Sequence, residues 1–144
     1  AARARKMADW KRRLYSDWHN IRIESVETQV PDTVHVGDDM RVRARVHLGT
    51  INPDDISVQI YHGRLDAYGN IVEGEIVPMV LSESKDNAGL FSGAIRYFKS
   101  GRHGFTVRVL PHHDDLGTPF ETGLIQWASQ GQLSEAPRAV VQPV

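Results

Sequence analysis

The stretch from Met40 to Leu48, MRVRARVHL, places Met40, Val42, Ala44, Val46 and Leu48 on one side and Arg41, Arg43, Arg45 and His47 on the other. Successive side chains of a strand point to opposite faces, so this alternation describes a half-buried strand and rules out a helix. An apolar face of that length needs a second apolar layer, which a packed sheet supplies. Ile21, Ile23, Val26, Thr28 and Val30 alternate too, with a phase slip near Ser25 that predicts a β-bulge.

The remaining chain carries the same rhythm. Pro31-Asp32 reads as a turn and Thr33 to Val36 as a short strand closed by Gly37-Asp38-Asp39. A loop with a single helical turn spans 49–55. Ile56, Val58 and Ile60 alternate with Ser57, Gln59 and Tyr61. Ile71 to Ser82 is apolar but holds Pro78, which confines it to a sheet edge or splits it. Leu90 to Phe98, Phe105 to Val109 and Leu124 to Ala128 complete the set. About seven short strands separated by turn signals predict an all-β, antiparallel immunoglobulin-like β-sandwich.

One segment breaks the pattern. Met7, Trp10, Leu14 and Trp18 recur at helical spacing and share one face, so residues 1–19 read as an N-terminal α-helix. Trp10, Leu14 and Trp18 need a partner surface, either on this domain or as an interdomain contact with a neighbour. The expected organisation is a helix at 1–19, a β-sandwich domain at 20–128 and a frayed tail at 129–144.

Of 144 residues, 40% are hydrophobic and 24% charged, the profile of a chain that buries one core. The net charge of −1 argues against a nucleic-acid partner. There is no cysteine, which excludes disulfides and thiolate metal sites and fits a cytoplasmic location. No apolar run approaches the roughly 20 residues that a membrane helix needs, so no membrane partner is expected. The chain starts without Met, as expected of a piece of something longer.

The residues with chemical potential have structural explanations beside the functional ones. In IYHGRLDAYGNIV, residues 60–72, His62, Arg64 and Asp66 suggest an active-site edge. Asp66-Ala67-Tyr68-Gly69-Asn70 also has turn chemistry, because Asp accepts its own downstream amides and Gly69 or Asn70 tolerates positive φ. Strand, turn and strand explain the segment. His112, His113, Asp114 and Asp115 are candidate metal ligands by type. Adjacent residues on an extended chain point apart, however, so another element must complete any site. Arg41, Arg43 and Arg45 form a row spaced about 6.6 Å by strand rise, which Arg96 and Arg108 extend if their strands are neighbours. No catalytic residue is assigned: nucleophile-elbow, phosphate-loop and dinucleotide patterns are absent.

The segments ARKMADWKRRLYSDWHNIRIESVE, MRVRARVHLGTINPDDISVQIYHGRLDAYGNIVEGEIVPM and GRHGFTVRVLPHHDDLGTPFETGLIQWA together resemble the C-terminal part of bacterial α-glucan (glycogen) phosphorylases. The resemblance rests most on Pro53-Asp54-Asp55-Ile56, Tyr61-His62-Gly63 with Leu65-Asp66, and residues 101–111 running on to Trp127. It implies a β-sandwich that follows a catalytic body. It further implies a parent enzyme that uses pyridoxal phosphate and phosphate to release glucose 1-phosphate from α-1,4-glucan. The cofactor lysine of that family lies upstream, and none of Lys6, Lys11, Lys85 and Lys99 matches its context. The fragment itself is therefore expected to bind no cofactor and to be non-catalytic. On this resemblance residues 1–19 are the last helix of the catalytic body or its link to the sandwich. The implied partners are that body, α-glucan and a second copy in a homo-oligomer. Tyr61, Tyr68, Tyr97 and Trp127 are the candidate glucan contacts, because aromatic rings stack on pyranose faces. The alternatives are a free-standing immunoglobulin-like interaction module and a small metal-binding β protein using His112 to Asp115.

Overall fold

The computed structural model describes residues 2–29, 35, 37–96, 102–129 and 134–136. Among them are one α-helix, α1 (Ala2–Asp17), and nine strands. These are β1 (Arg22–Gln29), β2 (Asp39–His47), β3 (Ile56–Leu65), β4 (Ile71–Pro78), β5 (Val80–Lys85), β6 (Ala88–Arg96), β7 (His103–Pro111), β8 (Gln126–Trp127) and β9 (Ser134–Ala136). One sheet has the order β1-β2-β6-β5. The other has β4-β3-β7-β8, with β9 also pairing β7. Every pairing is antiparallel. The expected all-β sandwich with one N-terminal helix is the observed architecture.

Alternation decides which face goes inside. On β2, Met40, Val42, Ala44 and Val46 are buried while Arg41, Arg43 and Arg45 are exposed. Ile56, Val58 and Ile60 of β3 and Phe105, Val107 and Val109 of β7 form the facing layer. Each such side chain stabilises the fold by about 1.5–3 kcal/mol through removal from water. The predicted bulge is present as a register shift between Ile23 and Ser25.

Pro78 does both things expected of it. It ends β4 at the edge of one sheet, and β5 begins two residues on at the edge of the other. Met79 lies at the crossing. Its amide donates to the Val58 carbonyl (2.8 Å) and its side chain is buried in the core. Three expectations are corrected or fall outside the structure. First, β3 runs through His62-Gly63-Arg64-Leu65, so the loop shrinks to Asp66–Asn70. Second, β9 holds residues 134–136 against β7, so the sheet extends into the segment expected to fray. Third, most of the Thr33–Val36 strand lies outside the described residues.

The third partner of the core is α1. Trp10, Leu14 and Trp18 are 7%, 4% and 8% exposed within this chain alone and join the sandwich core. These residues therefore have little surface left for the interdomain contact expected of them. Polar ties add to the packing. Arg3 donates to Asp115, Lys11 pairs with Glu121 (3.1 Å), and the Tyr15 hydroxyl donates to the Thr122 carbonyl. Trp10→Ala in this chain should lower the unfolding free energy by about 3–5 kcal/mol, the cost of truncating a buried Trp. Urea denaturation followed by circular dichroism measures it. A helix that belonged to another body would leave the chain's stability unchanged.

Candidate functional site

The Asp66–Asn70 turn is held by its own side chain. Asp66 Oδ1 accepts from the amides of Tyr68 and Asn70, both at 2.9 Å, and Gly69 takes φ 82°. These bonds, led by the Asn70 amide, hold the Asp66 carboxylate below its ordinary range. Asp66 is thus committed to the turn. Tyr68 at its tip is 90% exposed and stands apart from the other aromatic candidates.

His62 is buried on β3. Register places it opposite Phe105 on β7 and Glu75 on β4. Its Nδ1 lies 2.9 Å from His103 Nε2. Burial, the larger effect, pushes both imidazoles below their ordinary range, while Glu75 opposes it. The pair lines a cavity of ≈ 170 Å³ with Gly63, Arg64, Val72, Glu73 and Glu75. One proton shared between two facing nitrogens makes a good hydrogen bond. A second proton sets two N–H groups against each other.

The loop after β7 is absorbed by α1. The His113 ring packs on Trp10 with centroids 4.7 Å apart, and its Nδ1 accepts from the Asp115 amide at 3.0 Å. Asp115 is engaged by Arg3, which lowers its pKa through that hydrogen bond first. His112 and Asp114 are exposed. Among the described residues no three His, Asp or Glu side chains gather to hold a metal ion. The arginine row is also resolved. Arg45 pairs with Glu24 (2.9 Å) and Arg96 with Asp39 (3.6 Å), while Arg108 lies in the other sheet.

Arg108 forms the most unusual arrangement among the described residues. It is 6% exposed, and the described residues supply it with no carboxylate. Its Nε donates to Gln59 Oε1 (2.9 Å). Its guanidinium carbon sits 5.4 Å from the Tyr61 ring centre, 5.5 Å from Phe120 and 5.3 Å from Trp127. Rings at that range attract the cation through their negative faces. Tyr61 and Trp127 meet edge to face at 5.6 Å. Gly74 on β4 lies under the Tyr61 ring, and any Cβ there would overlap it. Gln59 Nε2 also donates to Ser57 Oγ (3.1 Å). Ser57 and Gln59 form the floor of a ≈ 220 Å³ cavity walled by Pro111, His112, His113, Leu116, Gly117, Thr118 and Pro119.

The structure thus brings together Tyr61 and Trp127 of the expected aromatic set. It separates Tyr68 from them, and Tyr97 lies outside the described residues. It adds Arg108, Phe120 and Gln59. The sequence signal for these was two aromatics, Phe120 and Trp127, downstream of a strand whose outward residues include the apolar Leu110. Of the lysines among the described residues, Lys6 and Lys85 are exposed and Lys11 pairs with Glu121.

The histidine pair has a pH consequence. Both folded-state pKa values lie below the unfolded value of about 6.5. The stability contributed by the neutral pair is therefore fully present above that pH and lost as pH falls below it. The melting temperature should decline from about pH 7 to about pH 5.5, and the His103→Gln variant should show a shallower slope. Calorimetry across that range checks it. A rise in stability on acidification would contradict the assignment.

Comparison with known proteins agrees with this architecture. The family model described as "Glycogen phosphorylase C-terminal domain" matches residues 18–129. A glycogen phosphorylase of Mycobacterium tuberculosis (strain CDC 1551 / Oshkosh) is 35% identical over 127 residues, covering 87% of this chain and 15% of the relative. A maltodextrin phosphorylase of Thermococcus litoralis is 29% identical over 128 residues, covering 85% of this chain and 14% of the relative. The chain thus spans about one-seventh of the length of these relatives. A match over residues 18–129, from Trp18 in the core through β8, places the chain in the glycogen phosphorylase C-terminal domain family.

Proposed function

We propose that this chain serves as a non-catalytic accessory domain of an α-glucan phosphorylase in the cytoplasm. The parent activity is phosphorolysis of α-1,4-glucan to glucose 1-phosphate by a glycosyltransferase body that carries pyridoxal phosphate. The observation that carries this reading is where the similarity falls. It covers nearly all of this chain and a small fraction of each phosphorylase. A domain whose titratable groups are spent on a turn, a helix clamp and a buried imidazole pair fits a supporting role.

The role is docking to that body. The face of α1 turned from the sandwich exposes Arg5, Lys6 and Arg13, and Arg12 beside Asp9. Arginine and lysine at an exposed helix face steer and orient an acidic partner surface. The isolated chain should release no glucose 1-phosphate from maltoheptaose and phosphate, which a coupled dehydrogenase assay reads. Turnover by the chain alone would refute the accessory reading. Replacing Arg5, Lys6 and Arg13 with Glu in the phosphorylase polypeptide should weaken retention of this domain by the body after proteolytic nicking, as gel filtration would show.

A further inference from the structure

The outer face of β3 and β7 carries more than packing requires. Three rings enclose a buried guanidinium, and a polar strip runs from it through Gln59 to Ser57 on a cavity floor. We propose that this face is an α-glucan-binding site. Trp127 and Phe120 form its stacking platform, and the neighbouring cavity takes one glucosyl ring. The proposal rests on the phosphorylase reading given above and supplies the ligand class for one surface of the domain.

Lining chemistry selects the ligand. None of the cavity residues is Asp, Glu, Lys or Arg. Its polar groups are the Ser57 hydroxyl, the Gln59 amide, the Thr118 hydroxyl and two imidazoles, His113 already accepting from the Asp115 amide and Thr118 from the Phe120 amide. Such groups match a ligand of many hydroxyls and no charge, since each hydroxyl both donates and accepts. Gln59 is oriented by Arg108 on one side and Ser57 on the other, so a second amide N–H of Nε2 is left to donate. The volume of ≈ 220 Å³ falls below the roughly 300–1,000 Å³ of a site that encloses a small molecule. It suits one sugar ring with the rest of the oligomer lying outside.

The platform supplies the outside part. Phe120 is 55% exposed and Trp127 41%, while Arg108 beneath them is 6% exposed. Aromatic rings that pack over a cation are held in place before any ligand arrives, which reduces the ordering cost of binding. Apolar C–H faces of pyranose rings then stack on them. Arg108 is a positioning residue here. Asp115 and Glu121 of that loop are already paired with Arg3 and Lys11, so Arg108 beneath the rings is the charge that bears on the platform.

The three tryptophans make the test direct. Maltoheptaose is titrated into the ¹⁵N-labelled chain and the indole N–H signals are followed. Trp127 should shift saturably while Trp10 and Trp18, buried in the core, stay still. Trp127→Ala should weaken affinity at least tenfold by calorimetry. His112→Ala, an exposed change in the cavity wall, should weaken it several-fold with an unchanged melting temperature. Cellohexaose, the β-linked counterpart, should move Trp127 much less. The proposal is overturned by a silent Trp127 indole, by an equal response to cellohexaose, or by a Trp127 response only to the upstream phosphorylase polypeptide. A silent Trp127 in a chain without turnover removes the glucan site alone. Release of glucose 1-phosphate by the chain removes the accessory reading whatever Trp127 does.

Discussion

The apolar layer shared by two sheets is the constraint on which everything else depends. Val42, Ala44 and Val46 from one side and Ile60, Val107 and Val109 from the other are all 0% exposed. None of these residues can turn outward without taking its neighbours with it, because side-chain orientation alternates rigidly along a strand. The layer therefore fixes registers, and the registers bring His62 near His103 and Tyr61 near Arg108. Contacts that look like local chemistry are consequences of strand pairing.

Much of this was legible in the sequence because alternation is a direct record of burial. The strand at Met40–Leu48, the bulge near Ser25, the turn at Asp66 and the interruption at Pro78 each follow from one local rule. The docking of α1 was not legible. Periodicity shows that Trp10, Leu14 and Trp18 share a face but not whose surface covers it. Its answer lies in Arg3, Lys11 and Tyr15 meeting residues more than a hundred positions away.

The aromatic cluster was half legible for a related reason. Arg108 alternates with Val107 and Val109, so a simple strand model turns it to solvent beside other arginines. The loop after Pro111 brings Phe120 onto that outer face, and β8, paired beside β7, sets Trp127 next to Arg108, so the guanidinium is buried instead. Outward residues of a two-layer sandwich are exposed only where nothing folds back over them. Phe120 and Trp127, aromatic residues in an otherwise polar stretch, marked the place where something does. The histidine pair was hidden because its members lie 41 positions apart and meet only through the β3–β7 register.

The passage of the backbone from β4 to β5 through Met79 joins an edge strand of one sheet to an edge strand of the other within a single residue. So short a tether leaves no slack for the layers to slide or part. Unzipping either margin must pull on its counterpart, so the two halves should melt together as one cooperative unit. A load applied at α1 would then be borne by the whole body of the domain rather than by the sheet it touches.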